Sequence, residues 1–101
     1  MEHVTKADWE RVTSEPLVLV EFWAEWCAPC KMMKPILEQL ETEIAALKVA
    51  LVNADLEQEL VSELEITAIP TMMLFKEGEL VWKLTGAKPF PWYVEQIGPY
   101  V

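Results

Sequence analysis

The two cysteines of this 101-residue chain stand three positions apart, as Cys27 and Cys30. They lie within "EFWAEWCAPCKMMKP", residues 21–35. Thiols at this spacing form a redox pair, a metal clip or a structural disulfide. A zinc site takes about four ligands, whereas the chain offers two thiols and one distant histidine, His3. A disulfide that closes so short a loop stabilises a fold little. The pattern therefore favours a pair that exchanges disulfides.

Composition limits the remaining function classes. With 8 basic and 17 acidic residues, the chain lacks the positive charge that binds nucleic acid or anionic membranes. The first residues lack the pattern of a signal peptide, and no stretch approaches the roughly 20 apolar residues of a membrane span. We therefore expect a cytoplasmic protein, built as a single domain over residues 1–101. In that reducing compartment, close cysteines are more often catalytic or metal-binding than structural.

Strands and helices are predicted to alternate around this pair. Residues 17–24 are apolar on both alternating faces, which is typical of a central strand covered on both sides. Residues 27–47 change to a helical period, and Pro35 should kink that helix because it cannot donate to the carbonyl of Lys31. A weakened capping box at Thr5 predicts a helix over residues 6–13.

The second half of the chain continues this order. Residues 48–55 are predicted to form a strand and 57–66 a helix. Residues 71–86 are predicted to form a hairpin that turns at Glu77 and Gly78, and residues 89–98 a final helix. Only a very short strand fits before the first helix. The sequence thus predicts an α/β fold, a central mixed sheet of about four to five strands with helices on both faces.

Three motifs in this order resemble the thioredoxin family. They are "FWAEWCAPCKM" around the cysteines, "IPT" at residues 69–71 and "GA" at 86–87, and the resemblance extends from about Lys6 to Ile97. It implies a thioredoxin fold and a protein-disulfide reductase. In that family Cys27 would be the nucleophile and Cys30 the resolving thiol, and the redox-active disulfide between them would be the only redox group, without bound cofactor or metal.

Glu21 is the unexpected residue of the predicted central strand, because a buried charge is costly unless it is paired or functional. By alternation it shares a face with Trp23. The resemblance gives Glu21 the role of the buried acid that exchanges a proton with Cys30. The lysine that usually accompanies this acid is replaced by Leu51, so burial should raise the pKa of Glu21 and keep it neutral. Alternatively, Glu21 points to solvent at a sheet edge.

The resemblance also implies a substrate-binding rim around the sulfurs. Pro70 would follow a cis peptide bond, which turns the backbone of Ile69 toward the cysteines. Trp26 would lie at this rim, although core packing is the alternative. The expected members of the rim are Trp26, Ala28, Pro29, Ile69, Pro70, Gly86 and Ala87.

The expected activity is reduction of disulfide-containing proteins through a mixed disulfide. The resemblance implies a thioredoxin reductase as the electron donor and a monomeric protein. An oxidant or isomerase of the same fold is an alternative, although such relatives usually have histidine where Pro29 stands. A non-catalytic binding subunit is another. Ala28 and Ala68 replace the more usual glycines and should crowd the docking surface slightly.

Overall fold

A five-stranded mixed sheet forms the centre of the protein, in the order β1-β3-β2-β4-β5. The computed structural model describes all residues, 1–101. Strands β1, β3 and β2 run parallel, and β4 and β5 run antiparallel to their neighbours. The predicted α/β sheet is therefore confirmed. The strands are β1 Glu2–His3, β2 Leu17–Trp23, β3 Lys48–Asn53, β4 Thr71–Lys76 and β5 Glu79–Thr85.

Helices cover both faces of this sheet, which is why β2 has apolar side chains on both. Leu17 and Leu19 of β2 pack in one core cluster. Val18 and Val20 pack in another, on the opposite face. The first cluster includes residues of α3 and α5, and the second includes residues of α1 and α4. The helices are α1 Trp9–Thr13, α2 Ala28–Met32, α3 Lys34–Glu43, α4 Gln58–Glu63 and α5 Phe90–Ile97.

The long helix predicted over residues 27–47 is two helices. It is broken at Met33, between α2 and α3, because Pro35 lacks the N–H that would continue the hydrogen-bond ladder. The predicted end at Leu47 is wrong. Ile44 is already extended (φ −105°, ψ 95°), and a turn rather than a helix places Leu47 in the same core cluster as Leu40. The spacing of apolar residues typical of a helix therefore extends to Leu47, although the helix itself ends at Glu43.

The start of the chain also differs in detail from the prediction. Residues Lys6–Asp8 form a 3-10 turn before α1. The Thr5 hydroxyl donates to the Asp8 carboxylate at 3.1 Å and caps no backbone N–H, so the capping-box prediction is wrong.

None of the helices has the length and the apolar character that a membrane span needs.

The hairpin between β4 and β5 turns at Glu77 and Gly78, as predicted. Both residues have positive φ, 50° and 86°, as a two-residue turn of the primed type requires. A β-carbon at Gly78 would meet only ordinary contacts, the nearest at 3.9 Å from Ser14 Cα. Glycine is therefore needed here for its backbone conformation.

We predict that Gly78→Ala lowers the free energy of unfolding by about 1 kcal/mol, because alanine is strained at positive φ. The matched control is Gly98→Ala, at a position with φ −46° and open space around the added methyl group. That control should be neutral or slightly stabilising. Urea unfolding measures both, and an equal loss in the two variants would contradict the assignment of the cost to the turn.

Candidate active site

Cys27 lies immediately before α2 and Cys30 within it. Their sulfurs are bonded to one another, and the Cα atoms are 5.3 Å apart. The Cys30 backbone N–H donates to Cys27 Sγ at 3.3 Å. This hydrogen bond, together with the positive end of the helix dipole, favours a negative charge on the Cys27 sulfur after reduction. The structure therefore distinguishes the two thiols electrostatically.

The two cysteines are nearly equally buried, with Cys27 4% and Cys30 2% exposed, but their surroundings differ. Ala28 and Pro29, which follow Cys27, are exposed in the first turn of α2. Cys30 instead lines a cavity beneath the disulfide. The exposed surface thus lies on the side of Cys27, and Cys30 faces the cavity.

Trp26 extends the exposed surface beside Cys27. Its side chain is 71% exposed, which excludes the alternative of core packing. The indole Nε1–H donates to the Asp55 carboxylate at 3.0 Å. Asp55 was not predicted as part of the site, although the sequence carries a signal for its placement. Asn53 ends β3, and its side-chain carbonyl accepts from the Asp55 N–H at 3.0 Å, a turn that asparagine favours.

The opposite side of the disulfide is formed by the segment before β4. The Ile69–Pro70 peptide bond is cis, and Ile69 packs against the small cluster that contains both cysteines. The Gly86 N–H donates to the Pro70 carbonyl at 2.8 Å, so the end of β5 is held beside this segment. Ala87 follows it and is exposed. The structure thus brings Ile69 to the sulfurs and ties Gly86 to Pro70.

Glu21 lies inside the protein, not at a sheet edge. Its side chain is 3% exposed and lines the cavity together with Trp23 and Cys30. Leu51 is its register partner on β3, and no side chain forms an ion pair with its carboxylate. Burial therefore acts alone and raises the pKa of Glu21 to about 8. At neutral pH the carboxyl group is mainly protonated, as the sequence predicted.

Two buried polar atoms of residues that line this cavity have no hydrogen-bond partner in the chain, Glu21 Oε2 and Trp23 Nε1. The sequence gave no sign that the Trp23 N–H would be left unpaired. Such atoms are uncommon in native structures, because an unpaired buried polar group costs free energy.

Comparisons with known proteins agree with this geometry. The thioredoxin family model matches residues 1–96. A thioredoxin of Listeria monocytogenes is 38% identical over the whole chain and 99% of its own length. A thioredoxin of Bacillus subtilis is 44% identical over 76% of the chain and 75% of its own length. The solved structure of Plasmodium falciparum thioredoxin superposes with a TM-score of 0.90, at 31% identity and full coverage of both chains.

The chain belongs to the thioredoxin family. Its sheet and helices form the thioredoxin fold, and it is a thiol–disulfide oxidoreductase, an enzyme that reduces protein disulfides. Thioredoxins carry no cofactor, since the redox-active disulfide is in the protein itself. Here that disulfide joins Cys27 and Cys30.

The raised pKa of Glu21 leads to a prediction about how the stability of the protein depends on pH. Between the ordinary value of 4.5 and the folded value of about 8, the unfolded chain ionises while the folded carboxyl stays protonated. Stability should therefore fall as pH rises through that range. We predict that Glu21→Gln raises the free energy of unfolding by about 3 kcal/mol at pH 7 and leaves it nearly unchanged at pH 4.

Urea unfolding at both pH values measures this difference. The control is Glu38→Gln, which removes an exposed carboxylate and should change stability little at either pH. A stabilisation by Glu21→Gln that is the same at pH 4 and pH 7 would show that burial does not shift the pKa of Glu21.

Proposed function

We propose that this protein is a general reductant of protein disulfides and that a thioredoxin reductase returns it to the dithiol form. It acts as a monomer, a single domain over residues 1–101, in the cytoplasm, where a reducing environment keeps such a pair available. The observation that carries the proposal is the asymmetry of the two sulfurs. Cys27 Sγ accepts a backbone N–H beside an exposed surface, while Cys30 faces the cavity that holds Glu21.

In the first step the Cys27 thiolate attacks one sulfur of the substrate disulfide. A mixed disulfide forms, and the other substrate sulfur leaves as a thiolate. In the second step the Cys30 thiolate attacks Cys27 Sγ, which forms the Cys27–Cys30 disulfide and releases the second substrate sulfur. Two electrons pass from the dithiol to the substrate. The Cys30 N–H that donates to Cys27 Sγ supports the first role, because it stabilises the attacking thiolate.

Glu21 is proposed as the acceptor of the Cys30 proton in the second step. A buried thiol must lose its proton before it can attack, and a base works best when its pKa lies near the working pH. With a pKa of about 8, a minor fraction of Glu21 is ionised at pH 7, and this fraction accepts the proton. Its place at the same cavity as Cys30 supports the role. After turnover the proton returns to solvent through the cavity.

The backbone of Ile69 is proposed to hold the substrate segment. Neither its N–H nor its carbonyl takes a backbone partner within the chain, although the residue packs against the cysteine cluster. Free backbone groups at such a position can pair with an extended peptide as a short added strand. Trp26, Ala28, Pro29, Pro70, Gly86 and Ala87 then form the largely apolar rim that receives the substrate side chains.

We predict that Cys30→Ser accumulates a mixed disulfide with a substrate such as insulin, because the resolving thiol is absent. Cys27→Ser should form none at this site, and its turnover should fall about a thousandfold or more. Non-reducing electrophoresis and mass spectrometry measure the adducts, with Met32→Leu, at an exposed position on α2, as the control that keeps both thiols. Equal adduct formation by the two cysteine variants would contradict the assigned roles.

The reduction potential distinguishes this function from that of an oxidant or isomerase. We expect a value near about −270 mV, which is characteristic of thioredoxins. Tryptophan fluorescence in dithiol buffers measures it, with Trp23 and Trp26 as reporters. A value between roughly −180 and −120 mV would indicate an oxidant or isomerase. A double Cys→Ser variant that kept full activity on its partner would instead indicate a binding subunit.

A further inference from the structure

Leu56 is the most exposed large apolar side chain of the protein, at 77%. It lies in the turn after β3 and directly follows Asp55, whose carboxylate accepts the Trp26 indole N–H at 3.0 Å. Single exposed leucines are common on protein surfaces, but this one has a second exposed apolar side chain, Trp26, bonded to its neighbour. Because Trp26 precedes Cys27, the two apolar side chains adjoin the segment that carries the reactive sulfur.

The turn that carries Leu56 is held by hydrogen bonds. The side-chain carbonyl of Asn53 accepts from the N–H groups of both Asp55 and Leu56, at 3.0 and 3.2 Å. The backbone carbonyl of Asn53 accepts from the Glu57 N–H at 2.9 Å. The turn is therefore ordered before any partner arrives. A partner that covers Leu56 has only its side chain to immobilise, which lowers the entropy cost of binding.

Two carboxylates beside Leu56 have no cationic partner in the chain. Neither Asp55 nor Glu57 forms an ion pair. Asp55 accepts the tryptophan N–H described above, and Glu57 Oε1 accepts the backbone N–H of Lys6 at 2.8 Å. Both hydrogen bonds come from uncharged donors, so two negative charges flank the exposed leucine.

The lysines on either side of this surface are already paired. The Lys6 ammonium group is bonded to two glutamates of α4, and Lys31 is paired with one glutamate that precedes the tryptophan. These glutamates are Glu59 and Glu63 for Lys6, and Glu25, at 3.1 Å, for Lys31. Of the other lysines near the active site, Lys34 lines the cavity and Lys88 lies over the Trp92 ring. The surface therefore complements a partner with a positive charge.

We propose that Trp26 and Leu56 form a docking surface for an apolar side chain of the substrate protein, next to a lysine or arginine of that substrate. The positive charge faces Asp55 and Glu57. The proposal rests on the proposed attack by Cys27, because a substrate segment held there passes over the neighbouring Trp26. Leu56 is thus a specificity-determining residue, which selects among substrates whose disulfides are equally accessible.

The experiment measures the second-order rate constant with which the reduced full-length protein reduces cyclic peptide disulfides, followed by tryptophan fluorescence. Each peptide carries a dipeptide tag, Leu-Lys, Ser-Lys or Leu-Glu, at successive positions on either side of the disulfide loop. We expect the best Leu-Lys peptide to react about fivefold faster than its Ser-Lys counterpart, since part of a leucine side chain becomes buried. It should react about threefold faster than its Leu-Glu counterpart at low salt, and this difference should shrink at high salt.

Variants separate the apolar contact from the charge. Leu56→Ser should remove the preference for leucine and keep that for lysine. Asp55→Asn should weaken the preference for lysine and keep that for leucine, because asparagine retains an oxygen that can accept the Trp26 N–H. The matched controls are Leu80→Ser, at an exposed leucine of β5, and Glu38→Gln, at an exposed carboxylate of α3. Both controls should keep both preferences.

The symmetrical disulfide of mercaptoethanol, which has no flanking residues, distinguishes the possible failures. The wild-type protein and all four variants should reduce it at equal rates. Equal rate constants for the leucine and serine tags, a leucine preference that survives in Leu56→Ser, or a preference for glutamate over lysine would overturn the docking surface alone. Failure of the wild-type protein to reduce the small disulfide and the peptides would overturn the reductase function and, with it, this proposal.

Discussion

The burial of β2 on both faces is the constraint on which the rest of the protein depends. This strand is the middle one of the sheet, and every residue from Leu17 to Phe22 is buried. It carries Glu21 to the floor of the site and ends just before the cysteine segment. A carboxyl group held there is largely removed from solvent and has no counter-ion, so burial by the fold raises its pKa.

The break between α2 and α3 has a related consequence for the disulfide. Pro35 interrupts the hydrogen-bond ladder, so α2 ends at Met32 and a second helix, α3, begins at Lys34. In the first turn of α2 the Cys30 N–H donates to Cys27 Sγ, while the Cys30 side chain faces the cavity. Two residues of spacing between the thiols thereby separate a solvent side from a cavity side. The same short segment also positions the exposed Ala28 and Pro29.

Much of this arrangement could be predicted from the sequence, because strong local signals coincide with tertiary contacts. The double-sided apolar run of β2 and the Glu77–Gly78 turn are of this kind. The extent of the helix after the cysteines was predicted wrongly at Leu47, because a turn can bury a side chain at a helical spacing. The hydrogen bond between Trp26 and Asp55 joins segments that are distant in the chain, and no periodicity reports such a pair. The Trp23 N–H is unpaired because no acceptor of the chain lies within hydrogen-bond distance of it. A sequence pattern cannot show the absence of such a contact.

In the role proposed for them, the free backbone groups of Ile69 would also affect which proteins can be reduced. A partner that pairs with them must offer a stretch of its own main chain in extended form, and every protein has a main chain. Selection among partners then depends less on side-chain identity than on how readily the region around a disulfide opens. Disulfides in frayed or strained segments would be reduced first, and those enclosed in rigid sheets would be spared. The enzyme would thus act preferentially on disulfides in protein segments that unfold locally at little cost in free energy.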